Sequence, residues 1–155
     1  MHEKMRLGPL VFRDPVLLCG VLYAALCFDA SGFLRLGLLA AFMHEWGHIL
    51  VYCGLFHRFP VIEVTMTGFC MRLRGEEKYL PPFKLFLLAA AGPAVNLLLA
   101  GVWALLLTRH ATIRGSAFWA ANLLTGGFNL LPIPPLDGAQ LLACLRTKGE
   151  RILPK

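Results

Sequence analysis

The chain has 155 residues, 57% of them hydrophobic and 15% charged, with a mean hydropathy of +0.65. Soluble domains carry about 25% charged residues, which argues against a soluble enzyme; the length suits one domain, residues 1–155, with three or four spanning helices of about 20 residues each. The net charge of +6 does not point to nucleic acid, because the basic residues are scattered at segment ends and form no patch interleaved with aromatics.

The first apolar run, residues 16–28, lies between Arg13-Asp14-Pro15 and the break Asp29-Ala30-Ser31-Gly32. It is short for a span. A basic lead-in suits a cleaved signal peptide, but no small-x-small cleavage site follows, so it is read as helix one with the signal peptide as the competing reading.

Residues 33–56 form a second apolar helix, and within it residues 44 to 48 read His-Glu-Trp-Gly-His. On a helix His44 and His48 project from one face, as two imidazole ligands of a single Zn²⁺ must. Glu45, one step around, is placed to take the proton of a water whose acidity the metal raises. The competing reading, two packed histidines, is disfavoured because charge inside a spanning helix is generally functional. The motif ends about 12 Å before the helix does, at 1.5 Å per residue, so the site is submerged but near one surface.

Residues 61–74 change to a period of two. A turn at Thr67-Gly68 predicts a hairpin pairing Met66 with Phe69, Val64 with Met71 and Ile62 with Leu73, with Glu63 opposite Arg72. Pro81-Pro82 introduces a third helix, residues 83–108, interrupted at Gly92-Pro93. A fourth runs from near residue 113 to 131 and breaks at Pro132-Ile133-Pro134-Pro135-Leu136-Asp137-Gly138, a backbone that lipid tolerates only when buried in protein or beside water. A short helix, residues 139–145, leads into a basic tail. The expected fold is therefore an all-α polytopic membrane protein of about four spans, with a small amphipathic β-hairpin between helices two and three and a broken fourth helix.

With four spans, Arg35, Arg109 and Arg114 fall on one side and the other twelve basic residues on the opposite side, which is then cytoplasmic. Both termini, the hairpin and the nearer mouth of the zinc site share that side. The five cysteines form no C-x-x-C pair and are read as reduced and structural.

A catalytic zinc needs a third protein ligand and an open position. Of three aspartates, Asp14 and Asp29 lie at helix boundaries, whereas Asp137 lies at the depth of the two histidines. It is the best candidate, against a competing reading as a solvated turn residue before Gly138.

Three motifs, His44-Glu45-Trp46-Gly47-His48, Gly92-Pro93-Ala94-Val95-Asn96 and Asn129-Leu130-Leu131-Pro132 with Leu136-Asp137-Gly138, resemble in order and spacing those of the site-2 proteases, the intramembrane zinc metalloproteases. The compact stage IV sporulation factor B-like bacterial branch looks closest, because no PDZ-like insertion separates helices two and three. The resemblance implies one Zn²⁺ per chain held by His44, His48 and Asp137, with Glu45 as general base. It implies that Asn129, Asn96 and Pro135 meet the substrate, although an interhelical hydrogen bond stands equally for the two asparagines and a backbone-shaping role for Pro135. The implied setting is the bacterial cytoplasmic membrane. The implied partners are the lipid bilayer and a membrane-tethered protein substrate such as a pro-sigma or anti-sigma factor, with room for an inhibitory membrane partner and none for nucleic acid. Sporulation-type members commonly continue into a nucleotide-sensing domain, and this sequence stops at Lys155, so both a minimal and a truncated form stand. The alternative function is a non-proteolytic membrane protein that binds or transports metal.

Overall fold

The structure, a computed structural model, describes residues 4–65, 68–72 and 81–146. Its elements in chain order are β1 (Lys4–Leu7), β2 (Leu10–Arg13), α1 (Pro15–Phe28), α2 (Phe33–Phe56), β3 (Val61–Thr65), β4 (Gly68–Arg72), α3 (Pro82–Leu107), α4 (Ile113–Asn129) and α5 (Asp137–Arg146).

Two helices, α2 with 24 residues and α3 with 26, are long and apolar enough to cross a membrane. At 1.5 Å per residue they extend about 36 and 39 Å, against roughly 30 Å of hydrocarbon. α1 and α4, with 14 and 17 residues, are shorter than the spans expected of them. α1 opens on Pro15 and buries none of its residues. Asp29 joins α1 to α2, accepting from Ser31 Oγ at 3.0 Å and from the Arg35 amide at 3.2 Å. Burial pushes the Asp29 carboxyl up, but the donors of Arg35, Ser31, Leu34 and Gly32 outweigh it and hold it below the ordinary carboxylate range.

α3 packs against α2, α4 and α5 at the centre of the helical layer. Tyr52, Leu85, Leu88 and Cys144 form its buried apolar cluster, drawn from α2, α3 and α5. The expected interruption at Gly92-Pro93 does not occur: α3 runs unbroken, with Pro93 buried inside it. The dipeptide serves close packing instead, because neighbouring helices stabilise a proline-bearing turn. A Cβ at Gly47 would lie 2.7 Å from the Ala91 carbonyl oxygen, so the glycine of the α2 motif allows α2 and α3 to touch backbone to backbone. Outward-facing Val16, Leu98, Leu105 and Leu124 are each more than two-thirds exposed, an apolar exterior of the kind a bilayer solvates.

The expected hairpin is half of a larger sheet, a correction to the reading of one small β-hairpin. Four strands lie in the order β1-β2-β3-β4, with β1 and β2 forming an N-terminal hairpin and β2 parallel to β3. The register is also corrected. Val64 pairs with Phe69, Ile62 with Met71 and Glu63 with Cys70, two residues away from the expected pairing, and Gly68, expected in the turn, pairs with Thr65. Alternation specifies a face, and a shift of two leaves every side chain on the same face, so pattern alone does not discriminate between the two registers. Glu63 lies opposite Cys70 in register and meets Arg13 of β2. Met66 and Leu73, named in two expected pairs, lie outside the described residues. Cys19, Cys27, Cys53 and Cys144 are free thiols.

Candidate metal centre

α2 brings His44 and His48 onto one face, as their four-residue spacing requires, and both are buried. α5 brings the third group. After α4 ends, turns from Ile133 to Leu136 satisfy the backbone locally and return the chain so that Asp137 starts α5 against the two imidazoles. Gly138 makes that start feasible, because a Cβ there would collide with the Leu130 and Leu131 carbonyls.

His44 Nε2 lies 3.1 Å and His48 Nε2 3.2 Å from Asp137 Oδ2, and the two Nε2 atoms are 3.2 Å apart. Ligands of a tetrahedral zinc site with bonds of about 2.0 Å are separated by about 3.3 Å, so the triangle has the size of one tetrahedral face. The other ring nitrogens are committed elsewhere. His48 Nδ1 donates to the Leu88 carbonyl at 2.8 Å. Asn96 Nδ2 donates to the Ala40 carbonyl at 3.0 Å, which turns Asn96 Oδ1 towards His44 Nδ1 at 2.7 Å and makes that nitrogen the donor. Each neutral imidazole therefore presents the lone pair of Nε2 to the centre. Two such lone pairs and a carboxylate oxygen converging in a buried place suit a cation among them. The donor set and the spacing fit zinc, and His44, His48 and Asp137 are the residues that could hold it.

α3 closes over this triangle. A Cβ at Gly92 would fall 2.6 Å from His44 Nε2 and even nearer His48 Nε2, so only glycine lets α3 pass so close to the ligands.

Glu45 is half-buried and, with His48, lines an apolar cavity of about 360 Å³ between α2 and the sheet. Asn96 is fully buried, and its nitrogen also donates to Asn122 Oδ1 at 2.9 Å. Asn129 is half-buried near the end of α4, where its nitrogen donates to the Thr125 carbonyl at 2.9 Å. Pro135 is exposed in the turn ahead of α5. The structure thus gathers His44, His48, Asp137 and Asn96 through direct contacts, and none of the contacts described above joins Asn129 or Pro135 to them.

No protein-family model matches the sequence. The protein named "Putative zinc metalloprotease Rip3" from Mycobacterium tuberculosis, in strains Erdman and H37Rv, is 36% identical over 114 residues, covering 68% of this chain and 28% of that protein. In fold, the chain is similar to the site-2 protease from Methanocaldococcus jannaschii, with a TM-score of 0.65 and 20% identity, over 96% of this chain and 73% of that one. The chain is thus similar in sequence to a protein named as a zinc metalloprotease and shares its fold with a site-2 protease. It spans about 28% of the length of the curated relatives it matches.

Two parts of this candidate centre escape the sequence reading. Asn122 supports Asn96 and anchors itself on the Phe118 carbonyl at 2.9 Å; its signal was a lone amide in an apolar helix. The N-terminal hairpin contributes Pro9 of its turn and Leu10 and Phe12 of β2 to the wall of the cavity beside Glu45. Its signal was the Gly8-Pro9 turn pair, with Gly8 at φ +60°, between two short apolar stretches.

Proposed function

We propose that this chain is an intramembrane zinc endopeptidase that hydrolyses a peptide bond within or beside the spanning segment of a membrane-tethered protein. The observation that carries this reading is the convergence of His44 Nε2, His48 Nε2 and Asp137 Oδ2, each imidazole fixed through its other nitrogen, beside a cavity that Glu45 lines.

Zinc, when bound by His44, His48 and Asp137, supplies the Lewis acidity that makes water a nucleophile near neutral pH. Glu45 accepts the proton of the attacking water and delivers it to the leaving amine. Asn96, enclosed and saturated with hydrogen bonds, holds the His44 ring in its ligating tautomer. Asn129 and Pro135 line the approach of the substrate backbone. A substrate helix must unwind before one of its carbonyls is attacked, and β4, the strand at the edge of the sheet, offers hydrogen bonds to an extended segment.

The chain sits in the bacterial cytoplasmic membrane, with α1 and α4 completing four spans around α2 and α3. The excess of basic residues on one side supports a topology with both termini and the mouth of the site in the cytoplasm. The short stretch of residues 57–81 between α2 and α3 supports the compact branch and, with it, substrates such as a pro-sigma or anti-sigma factor and control by an inhibitory membrane partner.

The test is co-expression with a panel of membrane-tethered reporter segments. Wild type is expected to release a reporter and Glu45→Gln to release none while retaining zinc. Equal release by both would overturn the reading, and metal uptake without any Glu45-dependent cleavage would favour metal binding or transport.

A further inference from the structure

The cavity beside Glu45 has a chemistry that the hydrolytic step does not itself require. Its volume is about 360 Å³, within the range of pockets that enclose small ligands, and apart from Glu45 and His48 its lining is apolar. The sheet supplies one wall: Leu10 and Phe12 of β2, Ile62 and Val64 of β3 and Met71 of β4. These residues share a face by register, since Leu10 lies beside Ile62, Phe12 beside Val64, and Met71 opposite Ile62. α2 supplies the other wall, including Trp46 in the same motif as Glu45 and His48.

We propose that this cavity is a specificity pocket that receives one large apolar side chain, aliphatic or aromatic, from the substrate residue next to the scissile bond. The inference rests on the endopeptidase reading and adds to it a substrate preference. Three observations commit the pocket to that occupant. Glu45 and His48 both lie on its wall, so whatever fills it is adjacent to the proton acceptor and one metal ligand. β4 is at the edge of the sheet and contributes Met71, so a segment adding to that edge runs past the pocket mouth with alternate side chains towards it. Charge is the one class of side chain the lining does not match, because a second ionised group beside Glu45 and His48 would lack a polar wall to solvate it. Ile62 and Met71, paired across the sheet, set the size of the pocket, and the N-terminal hairpin completes it through Leu10 and Phe12.

Binding of hydroxamates to the zinc-loaded full chain in detergent tests this without a substrate. Acetohydroxamate reports on the metal alone, hydroxamates of leucine and phenylalanine add an isobutyl or a benzyl group, and glycine hydroxamate controls for the α-amino group these two also carry. Titration calorimetry is expected to give at least about tenfold tighter binding of the two larger probes, the smallest gain usual for apolar groups in such pockets. Ile62→Trp and, independently, Met71→Trp fill the space and are expected to bring that ratio close to one. Zinc per chain and circular dichroism identify which of the two variants is folded for the comparison. A ratio that survives both substitutions would overturn the pocket, as would wild-type binding of octanohydroxamate tighter than either amino-acid probe, which would mark a groove for lipid chains. Acetohydroxamate that binds with no preference among side chains defeats the pocket alone, whereas wild type that holds neither zinc nor acetohydroxamate defeats the endopeptidase reading and the pocket with it.

Discussion

Asn96 Oδ1 accepts the Nδ1 proton of His44 at 2.7 Å while the same amide donates to Ala40 of α2 and to Asn122 of α4, so one side chain of α3 ties three helices to the metal-facing imidazole. Both amide hydrogens are thereby committed, which leaves the oxygen facing His44. It fixes both the tautomer and the angle of His44, and it does so from a fully buried position.

Removing this support weakens metal binding. Asn96→Ala is expected to lower zinc affinity by about 10- to 100-fold, as loss of an outer partner of a ligating histidine commonly does. Asn122→Leu, one hydrogen bond further out, is expected to cost less. Competition against a chelator of known affinity measures both, and an unchanged affinity in Asn96→Ala would contradict the role given to the amide.

Gly92 makes a sharper prediction because it concerns space alone. Gly92→Ala places a methyl group where the two Nε2 atoms lie, so α3 or the imidazoles must move. Zinc per chain is expected to fall well below one while helical content by circular dichroism is preserved. Full occupancy in that variant would mean that α3 does not press on the ligands as described.

The sheet makes the third prediction. Because β3 is paired on both sides, β4 is the strand of this pair open to an added segment. Proline at β4 positions whose N–H points away from β3 is expected to reduce cleavage of a reporter without removing zinc. Proline at those positions with cleavage unchanged would rule out strand addition there.

What the sequence conveyed depended on how local the physics was. α2 was legible end to end, because its apolar run, the flanking breaks and the His-x-x-x-His spacing are all properties of one contiguous helix. Asp137 was legible as a candidate only by depth in the membrane, yet it is 89 residues from the nearer histidine and the structure brings it within 3.2 Å of both. Glu63 shows the limit: it was expected opposite Arg72 and lies opposite Cys70, and it also meets Arg13, fifty residues away. Alternation along β3 states which face is apolar and says nothing of which strand lies beside it. The N-terminal strands were obscured because Lys4, Arg6 and Arg13 read as topology charges rather than as strand residues. Gly92-Pro93 misled in the opposite direction, since a pair that breaks helices in water is tolerated where packed neighbours support the turn.

The most direct measurement is zinc per chain in purified wild type, His48→Ala, Asp137→Ala and Glu45→Gln. The account predicts about one zinc in wild type and Glu45→Gln and loss of zinc in the other two, because it assigns His48 and Asp137 as ligands and Glu45 as the base. No zinc in wild type, or occupancy indifferent to Asp137, would contradict the three-ligand centre on which the proposed hydrolysis depends.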